Sequence, residues 1–431
     1  MNISGNTDFI QRTIFPDILE WLGEREIIVI TGARQTGKTT LLNRLQQTLG
    51  DNKTVYVNFE FSSQLENFTQ SPLDFVALQL SEAGVTYFLF DEFQYVDDAG
   101  KILKLLFDHF GRQAKFIVTG SSSLAIREIA GYLVGRAIFF ELTPFSYAEF
   151  LLAKDNKLHR LWQEKHEHLT SFLIEGNQPP AQFDWIFQDE MDAHFQEYVV
   201  YGGYPAIVLS RPTLKAKRLE ALTDAYVEKD VVNFLRIGNA LEFKKLARLL
   251  ALQIGNLLKY SSLQTDAGLS YREVRRFIGL MENTFILNLL QPYATNPASE
   301  IKKSPKVYFV DTGLRNSLIS DFRSLDIRTD KGAVVENAVF NQMRITLSAE
   351  NLRFWRTKQG AEVDFIVTGA DQQIVPVEVK YQSLSRPTAP TGLINFIKKY
   401  KPRKAIVLNR NLFILKRFQE TDILFAPLYF V

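Results

Sequence analysis

The stretch that decides the fold runs from Ile27 to Thr40 and reads IIVITGARQTGKTT. The apolar run at 27–30 predicts a buried strand, and a complete Gly-x4-Gly-Lys-Thr string follows it directly at 32–39. Thr39-Thr40-Leu41-Leu42 then predicts the start of a helix. In such a turn, backbone N–H groups converge on one point and can hold phosphate groups. A glycine-rich surface turn could match by chance, but the flanking strand and helix favour a phosphate-binding loop.

The residues of this loop have separate expected roles. Lys38 is expected to reach the β- and γ-phosphates of a nucleoside triphosphate, and the Thr39 hydroxyl is expected to ligate Mg²⁺. The residues expected to bind the nucleotide are Gly32, Ala33, Arg34, Gln35, Thr36, Gly37, Lys38, Thr39 and Thr40.

The composition of the chain bounds its function. A length of 431 residues predicts two to four domains. Hydrophobic residues at 46% and charged residues at 23% are typical of a soluble globular protein. The net charge of +2 means that any nucleic-acid surface would be a local patch, and the absence of cysteine excludes disulfides and thiolate chemistry. Without a secretory pattern or a long apolar run, a cytoplasmic protein with no membrane span is expected.

Four apolar runs separated by helical patterns predict a parallel sheet that is covered on both faces. They lie at residues 27–31, 54–59, 86–90 and 115–119. The third run ends in Asp91-Glu92, the acidic pair of a Walker B strand. Asp91 is expected to hold Mg²⁺ through water, and Glu92 to polarise the attacking water. An acidic turn at a strand end is the alternative.

These motifs resemble those of the AAA+/STAND group of P-loop ATPases. The motifs TGxRQxGKT, DExQ and TGSSS of a prokaryotic branch lie at 31–39, 91–94 and 119–123. The resemblance implies ATP as the nucleotide, with Ser121 or Thr119 as the sensor of the γ-phosphate. It also makes Arg136 a candidate arginine finger, acting on its own γ-phosphate or on that of a neighbouring subunit. The alternative is that Arg136 pairs with a carboxylate at the edge of the core.

The middle of the chain predicts a helical lid with a charged insertion over 154–236 and a winged helix over 237–296. Two helices around Gly268 fit a helix-turn-helix, with Ser270 capping the second helix. The arginines expected to point partly outward for phosphate or base contact are Arg272, Arg275 and Arg276. Packing against protein is the alternative use of this unit.

Two smaller patterns lie in the predicted lid. The histidine-rich string LHRLWQEKHEHL at 158–169 fits a solvated helix better than a metal site. Tyr201-Gly-Gly-Tyr-Pro205 resembles the lid motif of the same ATPases, although a Gly-Gly-x-Pro turn is also a common loop.

After an expected linker over 297–324, residues 325–431 resemble a PD-(D/E)xK nuclease core. The predicted αβββαβ order is helix 332–349, strands 352–357, 361–368 and 374–380, helix 391–400 and strand 404–408. The resemblance implies that Glu336, Asp364 and Glu378 bind one or two Mg²⁺ ions, and that Lys380 orients or deprotonates the attacking water. Val363 stands where the family has its proline, which removes no ligand.

The expected fold class is therefore α/β. A P-loop ATPase core over 1–153 carries a helical lid, a winged helix and a C-terminal restriction-endonuclease-like domain. The leading interpretation is an enzyme that couples ATP hydrolysis to binding or metal-dependent cleavage of DNA or RNA. The alternative is a STAND-like ATP-driven switch, in which a silent nuclease-like domain binds a protein partner. Neither the type of nucleic acid nor the oligomeric state can be read from the sequence.

Overall fold

The computed structural model describes residues 9–50, 53–82, 84–121, 130–175, 177, 179, 187–226, 240–294, 304–347, 349–369 and 373–431. Ser122 and Ser123 of the TGSSS motif, and the predicted domain boundaries after residues 236 and 296, lie outside these ranges. Within the ranges, no helix is both long and apolar enough to cross a membrane.

The first part of the chain is a five-stranded sheet flanked by helices. Its strands, in spatial order, are β2 (Thr54–Asn58), β3 (Thr86–Asp91), β4 (Ala114–Gly120), β1 (Ile27–Thr31) and β5 (Ala137–Glu141). The helices are α1 (Phe15–Glu20), α2 (Lys38–Leu49), α3 (Ser62–Gln70), α4 (Pro72–Ala77) and α5 (Ala99–Phe110). Every neighbouring pair of strands is parallel, which confirms the predicted sheet. Strand β4 separates the phosphate-loop strand β1 from the acidic strand β3.

Both faces of this sheet are buried. Successive side chains of a strand point to opposite faces, so a continuous apolar strand needs cover on each side. Ile28 and Ile30 pack against α1 and α2 on one face. Phe90 and Phe116 pack against α5 on the other.

The helices that follow the core connect it to the end of the chain. They are α6 (Tyr147–Lys154), α7 (Asn156–Ile174), α8 (Gln188–Tyr201), α9 (Pro205–Val208) and α10 (Pro212–Tyr226). In α7, the indole N–H of Trp162 donates to the carbonyl of Tyr429 at 2.6 Å, and Nδ1 of His166 lies 2.9 Å from the carbonyl oxygen of Phe430. The prediction of a solvated helix is therefore wrong, because one face of α7 is packed against the C-terminal residues.

Three helices and a strand pair make up the next part, here called the three-helix unit. They are α11 (Ala240–Leu252), α12 (Tyr260–Ala267), α13 (Tyr271–Asn283) and the antiparallel strands β6 (Leu287–Leu290) and β7 (Lys306–Phe309). Ser270 and Glu273 cap α13 reciprocally, each side chain accepting from the backbone N–H of the other residue. This confirms the predicted N-cap. The interpretation as a winged helix stays a prediction.

The predicted linker over 297–324 is wrong for the residues described there. Strand β7 belongs to the three-helix unit, and α14 (Thr312–Leu318) follows it with most of its residues buried. The guanidinium of Arg315 is only 1% exposed, donates to the carbonyl of Ala251 at 2.7 Å and pairs with Asp330 at 2.7 Å. This segment is therefore part of the packed interior.

The Gly-Gly-x-Pro motif has a structural role that connects α8 to α14. The backbone N–H of Gly203 donates to the Asp311 carboxylate at 2.7 Å. A Cβ on Gly202 would lie 2.1 Å from an oxygen of Asp311, and one on Gly313 would lie 2.1 Å from the carbonyl oxygen of Tyr201. Such approaches are closer than any carbon can make, so glycine is required at both positions.

The C-terminal part contains a mixed six-stranded sheet. Its spatial order is β12 (Ile414–Phe418), β13 (Thr421–Pro427), β11 (Lys404–Asn409), β10 (Ile374–Val379), β9 (Glu362–Thr368) and β8 (Leu352–Arg356), with helices α15 (Lys331–Thr346) and α16 (Thr391–Tyr400). The predicted succession of helix, three strands, helix and strand is present, while β12 and β13 were not predicted. The sheet mixes parallel and antiparallel pairs, and the nuclease-like assignment stays a prediction.

Helix α15 joins the C-terminal sheet to the part of the chain that contains the five-stranded sheet. The side-chain carbonyl of Gln342 accepts from the backbone N–H of Tyr147 at 2.8 Å, and its amide donates to the Tyr198 hydroxyl at 2.9 Å. Arg344 pairs with Glu141 at the end of β5. A single apolar cluster correspondingly includes residues of α6 to α8, of the three-helix unit and of the C-terminal sheet.

The close packing at Gly313 can be tested by substitution. Gly313→Ala is expected to lower the free energy of unfolding by about 1–3 kcal/mol, because the new methyl group overlaps backbone atoms of Tyr201. Gly279→Ala in α13 is the matched control, since no described atom lies within 4 Å of the added Cβ. Alanine there is expected to leave stability unchanged or raise it by up to about 1 kcal/mol. Urea unfolding measures both variants, and equal midpoints would contradict the packing described.

Candidate functional site

The candidate site lies at the carboxyl ends of β1 and β3. The chain leaves β1 through Gly32, with a φ of 152°, and enters α2 after Gly37, with a φ of 100°. A Cβ on Gly32 would lie 2.2 Å from the carbonyl oxygen of Leu142. Both glycines of the motif are therefore required by the backbone path of the loop.

Lys38 lies inside this loop as its first helical residue. Its ammonium donates to the carbonyl oxygens of Gly32 at 3.0 Å and Ala33 at 2.8 Å, and the residue is 4% exposed. The first N–H groups of α2 lack partners within the helix and carry the positive end of its dipole. The loop thus combines one positive charge with backbone donors, as an anion site requires.

Arg12 supports the loop from outside and was not predicted. Its guanidinium donates to the carbonyl oxygens of Thr36 at 2.8 Å and Thr143 at 2.7 Å, and its Nε lies 3.0 Å from Glu149. The residue is 4% exposed, so its charge is held almost entirely by these partners. A single arginine well upstream of the motif carries no local pattern from which this role could be inferred.

Asp91 is fully buried and accepts hydrogen bonds from three hydroxyl groups. The donors are Thr39 at 2.7 Å, Thr119 at 2.5 Å and Tyr56 at 2.9 Å. Thr39 and Asp91, which the sequence predicted to share Mg²⁺, are therefore in direct contact. Burial and the charge of Asp91 raise the pKa of Tyr56, so the phenol stays protonated and donates. Tyr56 was missed because an aromatic residue in a buried strand is typical of a core.

Glu92 follows with a left-handed backbone, at a φ of 55°. Its backbone N–H donates to the Thr119 hydroxyl at 3.0 Å. Its carboxylate accepts from the Gln94 amide and from the Ser121 hydroxyl, the latter at 3.3 Å, and Gln94 also donates to Ser121 at 3.1 Å. The structure thus brings together Glu92, Ser121 and Thr119 as predicted candidates. Gln94 stood in the DExQ motif, but its role of holding Glu92 was missed.

Arg136 lies at the opposite end of the sheet from the phosphate loop. Its carbonyl accepts from the backbone N–H of Ile27, the first residue of β1, at 2.8 Å. The loop follows the last residue of that strand, about 15 Å away at roughly 3.3 Å per residue. The guanidinium pairs with Asp108 at 3.1 Å. Action of Arg136 on the phosphate of its own chain is therefore wrong, and the alternative of a carboxylate partner is what the structure contains. Action on a neighbouring subunit stays a prediction.

The residues at the nucleotide site suit Mg²⁺. The Thr39 hydroxyl and the Asp91 carboxylate are hard oxygen donors, the type that Mg²⁺ prefers together with substrate phosphates. Both belong to elements whose positions are fixed by the sheet, and both face the end of the phosphate loop.

A second group of charged side chains lines a cavity of about 480 Å³ between the three-helix unit and the C-terminal sheet. Asp364 on β9 accepts from the backbone N–H of Val379 at 2.8 Å. One oxygen of Glu378 lies 2.6 Å from the Lys380 ammonium. Its other oxygen is buried and has no hydrogen-bond partner among the described residues. Burial raises the pKa of Asp364 and that of Glu378, and each is raised further by the charge of Glu336.

Glu336, the third predicted ligand, is bound by two side chains of β7. Its carboxylate accepts from the Lys306 ammonium at 3.0 Å and from the Tyr308 hydroxyl, both on β7. Lys306 also pairs with Glu362 at 2.5 Å. In the part of the chain that is described, no group of three or more His, Asp or Glu side chains is arranged to hold a metal ion. Glu336 as a metal ligand stays a prediction. Lys306 and Tyr308 were missed because they fall in the predicted linker.

Comparison with known proteins agrees with the geometry of the nucleotide site. Residues 24–151 match the family model of an AAA domain, whereas 192–326 and 331–429 match two domains of unknown function, DUF8612 and DUF4143. The first 150 or so residues thus form an AAA-type P-loop ATPase-like domain.

Relatives are found along most of the chain. An uncharacterized protein of Haemophilus influenzae is 26% identical over 390 residues, which are 87% of this chain and 87% of that protein. An uncharacterized protein of Methanocaldococcus jannaschii is 26% identical over 379 residues, 85% of this chain and 77% of that protein. A solved structure of a Walker-type ATPase of Pyrococcus abyssi aligns at 15% identity with a TM-score of 0.45, covering 73% of this chain and 97% of its own.

The nucleotide site predicts a specific role for Lys38. Lys38→Ala is expected to weaken ATP binding at least tenfold, because a hydrogen bond from a charged group contributes about 1.5–3 kcal/mol. Lys104→Ala, at an exposed position of α5, is the matched control. Titration with a fluorescent ATP analogue gives the affinities, and thermal unfolding verifies that both variants are folded. Equal affinities would contradict the assignment of the loop.

Proposed function

We propose that this chain is an ATP hydrolase. The observation that carries the proposal is the joint placement of the buried Asp91, in contact with Thr39, and of Glu92, held by Gln94 and Ser121. Both groups lie at the sheet edge onto which the phosphate loop opens. The match of residues 24–151 to an AAA domain supports the same function.

Each side chain has a definite task in this reaction. Lys38 and the N-terminal N–H groups of α2 bind the phosphates of ATP. Glu92 orients a water molecule and accepts its proton while the oxygen attacks the γ-phosphorus, and the bond to the β-phosphate oxygen breaks to leave ADP and phosphate. Thr39 and Asp91 would hold Mg²⁺, and the bound ion would neutralise charge that develops on the phosphates. Thr119 donates to Asp91 and accepts from the backbone N–H of Glu92, and Ser121 donates to the Glu92 carboxylate, so these two hydroxyl groups are assigned the response to the γ-phosphate.

The rate of ATP hydrolysis distinguishes the role of Glu92 as the base from that of Gln94, which holds it. Glu92→Gln is expected to lower kcat by about 10²–10⁴, the range for loss of a general base, while the affinity for ATP changes little. Gln94→Ala removes a positioning residue and is expected to lower kcat less, with Glu92 still present as the base. Glu66→Gln, at an exposed position of α3, is the matched control. Phosphate release at saturating ATP measures all three. Unchanged turnover in Glu92→Gln would exclude this carboxylate as the base.

A second function is favoured by the cavity of the C-terminal sheet, and we propose metal-dependent cleavage of nucleic acid there. Asp364, which lines the cavity, and Glu378 lie on neighbouring strands, and the oxygen of Glu378 without a hydrogen-bond partner is suited to a ligand that carries positive charge. Two carboxylates fit one Mg²⁺ completed by water and phosphate oxygens. Bound there, the ion would supply charge neutralisation on the scissile phosphate. Lys380 would orient the water whose oxygen attacks the phosphorus, and the P–O bond to the leaving sugar oxygen would break.

The three-helix unit supports a nucleic-acid partner. Arg272, Arg275 and Arg276 are all exposed on α13, where they are free to meet phosphate groups. The switch interpretation rests instead on the pairing of the cavity carboxylates with lysines, which a silent site binding a protein partner would tolerate equally well.

Cleavage of supercoiled plasmid and of single-stranded DNA or RNA with Mg²⁺ or Mn²⁺ decides between these two interpretations. Asp364→Asn is expected to abolish cutting, while Asp422→Asn, at the far side of the same sheet, is the matched control. Running Glu92→Gln beside them reports whether ATP hydrolysis drives or restrains cutting. No cutting under any condition, with ATP turnover intact, would overturn cleavage and favour the switch.

A further inference from the structure

Lys306 is a buried cation that the predicted site did not include. It is 1% exposed, and its ammonium lies 3.0 Å from Glu336 and 2.5 Å from Glu362. Burial opposes its charge, but Glu336, Asp364 and Glu362 together raise the pKa of Lys306, so the ammonium stays protonated. A charge this deeply buried is stable only when such partners surround it.

The charges of the cavity divide into two halves. Lys306 pairs with Glu336 and Glu362, Glu362 also pairs with Arg356 at 3.0 Å, and Lys380 pairs with one oxygen of Glu378. Among the described residues, Asp364 forms no ion pair, and the second oxygen of Glu378 has no hydrogen-bond partner. Sites that cleave phosphodiesters with two metal ions hold the ions about 3.5–4 Å apart and surround each ion with carboxylates. In this cavity, one pair of carboxylates, Glu336 and Glu362, already holds a side-chain cation, Lys306.

The element that delivers this cation does not belong to the C-terminal sheet. Lys306 lies on β7, which pairs with β6 of the three-helix unit. Tyr308, two residues further on the same strand face, donates to the same Glu336. Strand β7 therefore contributes two side chains that hold Glu336 within the cavity wall.

We propose that Lys306 is a built-in counter-cation that takes the place of a divalent ion between Glu336 and Glu362. The inference rests on the metal-dependent role proposed for this cavity and restricts it to a single divalent ion, at Asp364 and Glu378.

Binding of Mn²⁺ to the full-length, nucleotide-free chain tests this without any measure of activity. The count of bound ions comes from the loss of the free Mn²⁺ signal in electron paramagnetic resonance. The wild type is expected to bind one ion that Asp364→Asn removes. Lys306→Met is expected to bind a second ion, or the first at least tenfold more tightly, because one oxygen of Glu336 and one of Glu362 lose their ammonium partner. Lys306→Arg, which keeps the charge, is the matched control and is expected to match the wild type.

Two further variants make the count decisive. Lys306→Gln is neutral and keeps a donor for Glu336, so the result does not depend on the folding of the methionine variant. In Lys306→Met/Glu336→Gln the additional ion is expected to be lost again, because one of its two ligands is gone.

The outcomes separate this inference from the proposed cleavage. One ion of equal affinity in the wild type and in both neutral variants would overturn the role of Lys306 and leave the metal site intact. Ions bound only by the neutral variants would support Lys306 as the replacement of a divalent ion and overturn cleavage by the wild type. No ion in any variant would overturn both.

Discussion

One buried carboxylate, that of Asp91, sets the geometry on which the nucleotide site depends. It ends β3 and receives hydroxyl groups from α2, β2 and β4, so four elements of the core meet at two oxygen atoms. Burying a carboxylate costs free energy unless it is hydrogen-bonded, and all three hydroxyl groups donate to the carboxylate of Asp91. The same Thr119 that donates to Asp91 accepts from the backbone of Glu92. The two acidic residues are thus fixed relative to the phosphate loop before any nucleotide arrives.

Much of this core could be predicted from sequence because its determinants are local. Continuous apolar runs such as 27–30 define buried strands, and Lys38, Asp91 and Glu92 directly follow or end such runs. Where the decisive contact is distant in sequence, prediction failed. The partner of Arg136 lies on α5, and Lys306 meets carboxylates 30 and 56 residues further along. Neither pattern carries information about its partner. On α7, Trp162 and Leu169 indicate an apolar face, but it was not predicted because most of the residues around them are charged or polar.

The chain is also more continuous than its motifs imply. A single apolar cluster runs from the phosphate loop, at Ala33, to the C-terminal Phe430. The segment expected to be a linker supplies Asp311, which binds the Gly-Gly-x-Pro loop, and Lys306, which enters the distant cavity. The nucleotide site and the charged cavity therefore lie on one continuous apolar core, and neither belongs to a separately packed domain.

Helix α15 reaches from the first part of the chain to the charged cavity. Its Gln342 and Arg344 bind Tyr147 and Glu141, and its Glu336 lines the cavity. The distance from Arg344 to Glu336 is about 12 Å along the axis, at 1.5 Å per residue. A helix is stiff, so a tilt of about ten degrees around the fastened end displaces Glu336 by on the order of 2 Å. That exceeds the tolerance of a hydrogen bond. A tilt of this size would therefore be enough to separate Glu336 from Lys306.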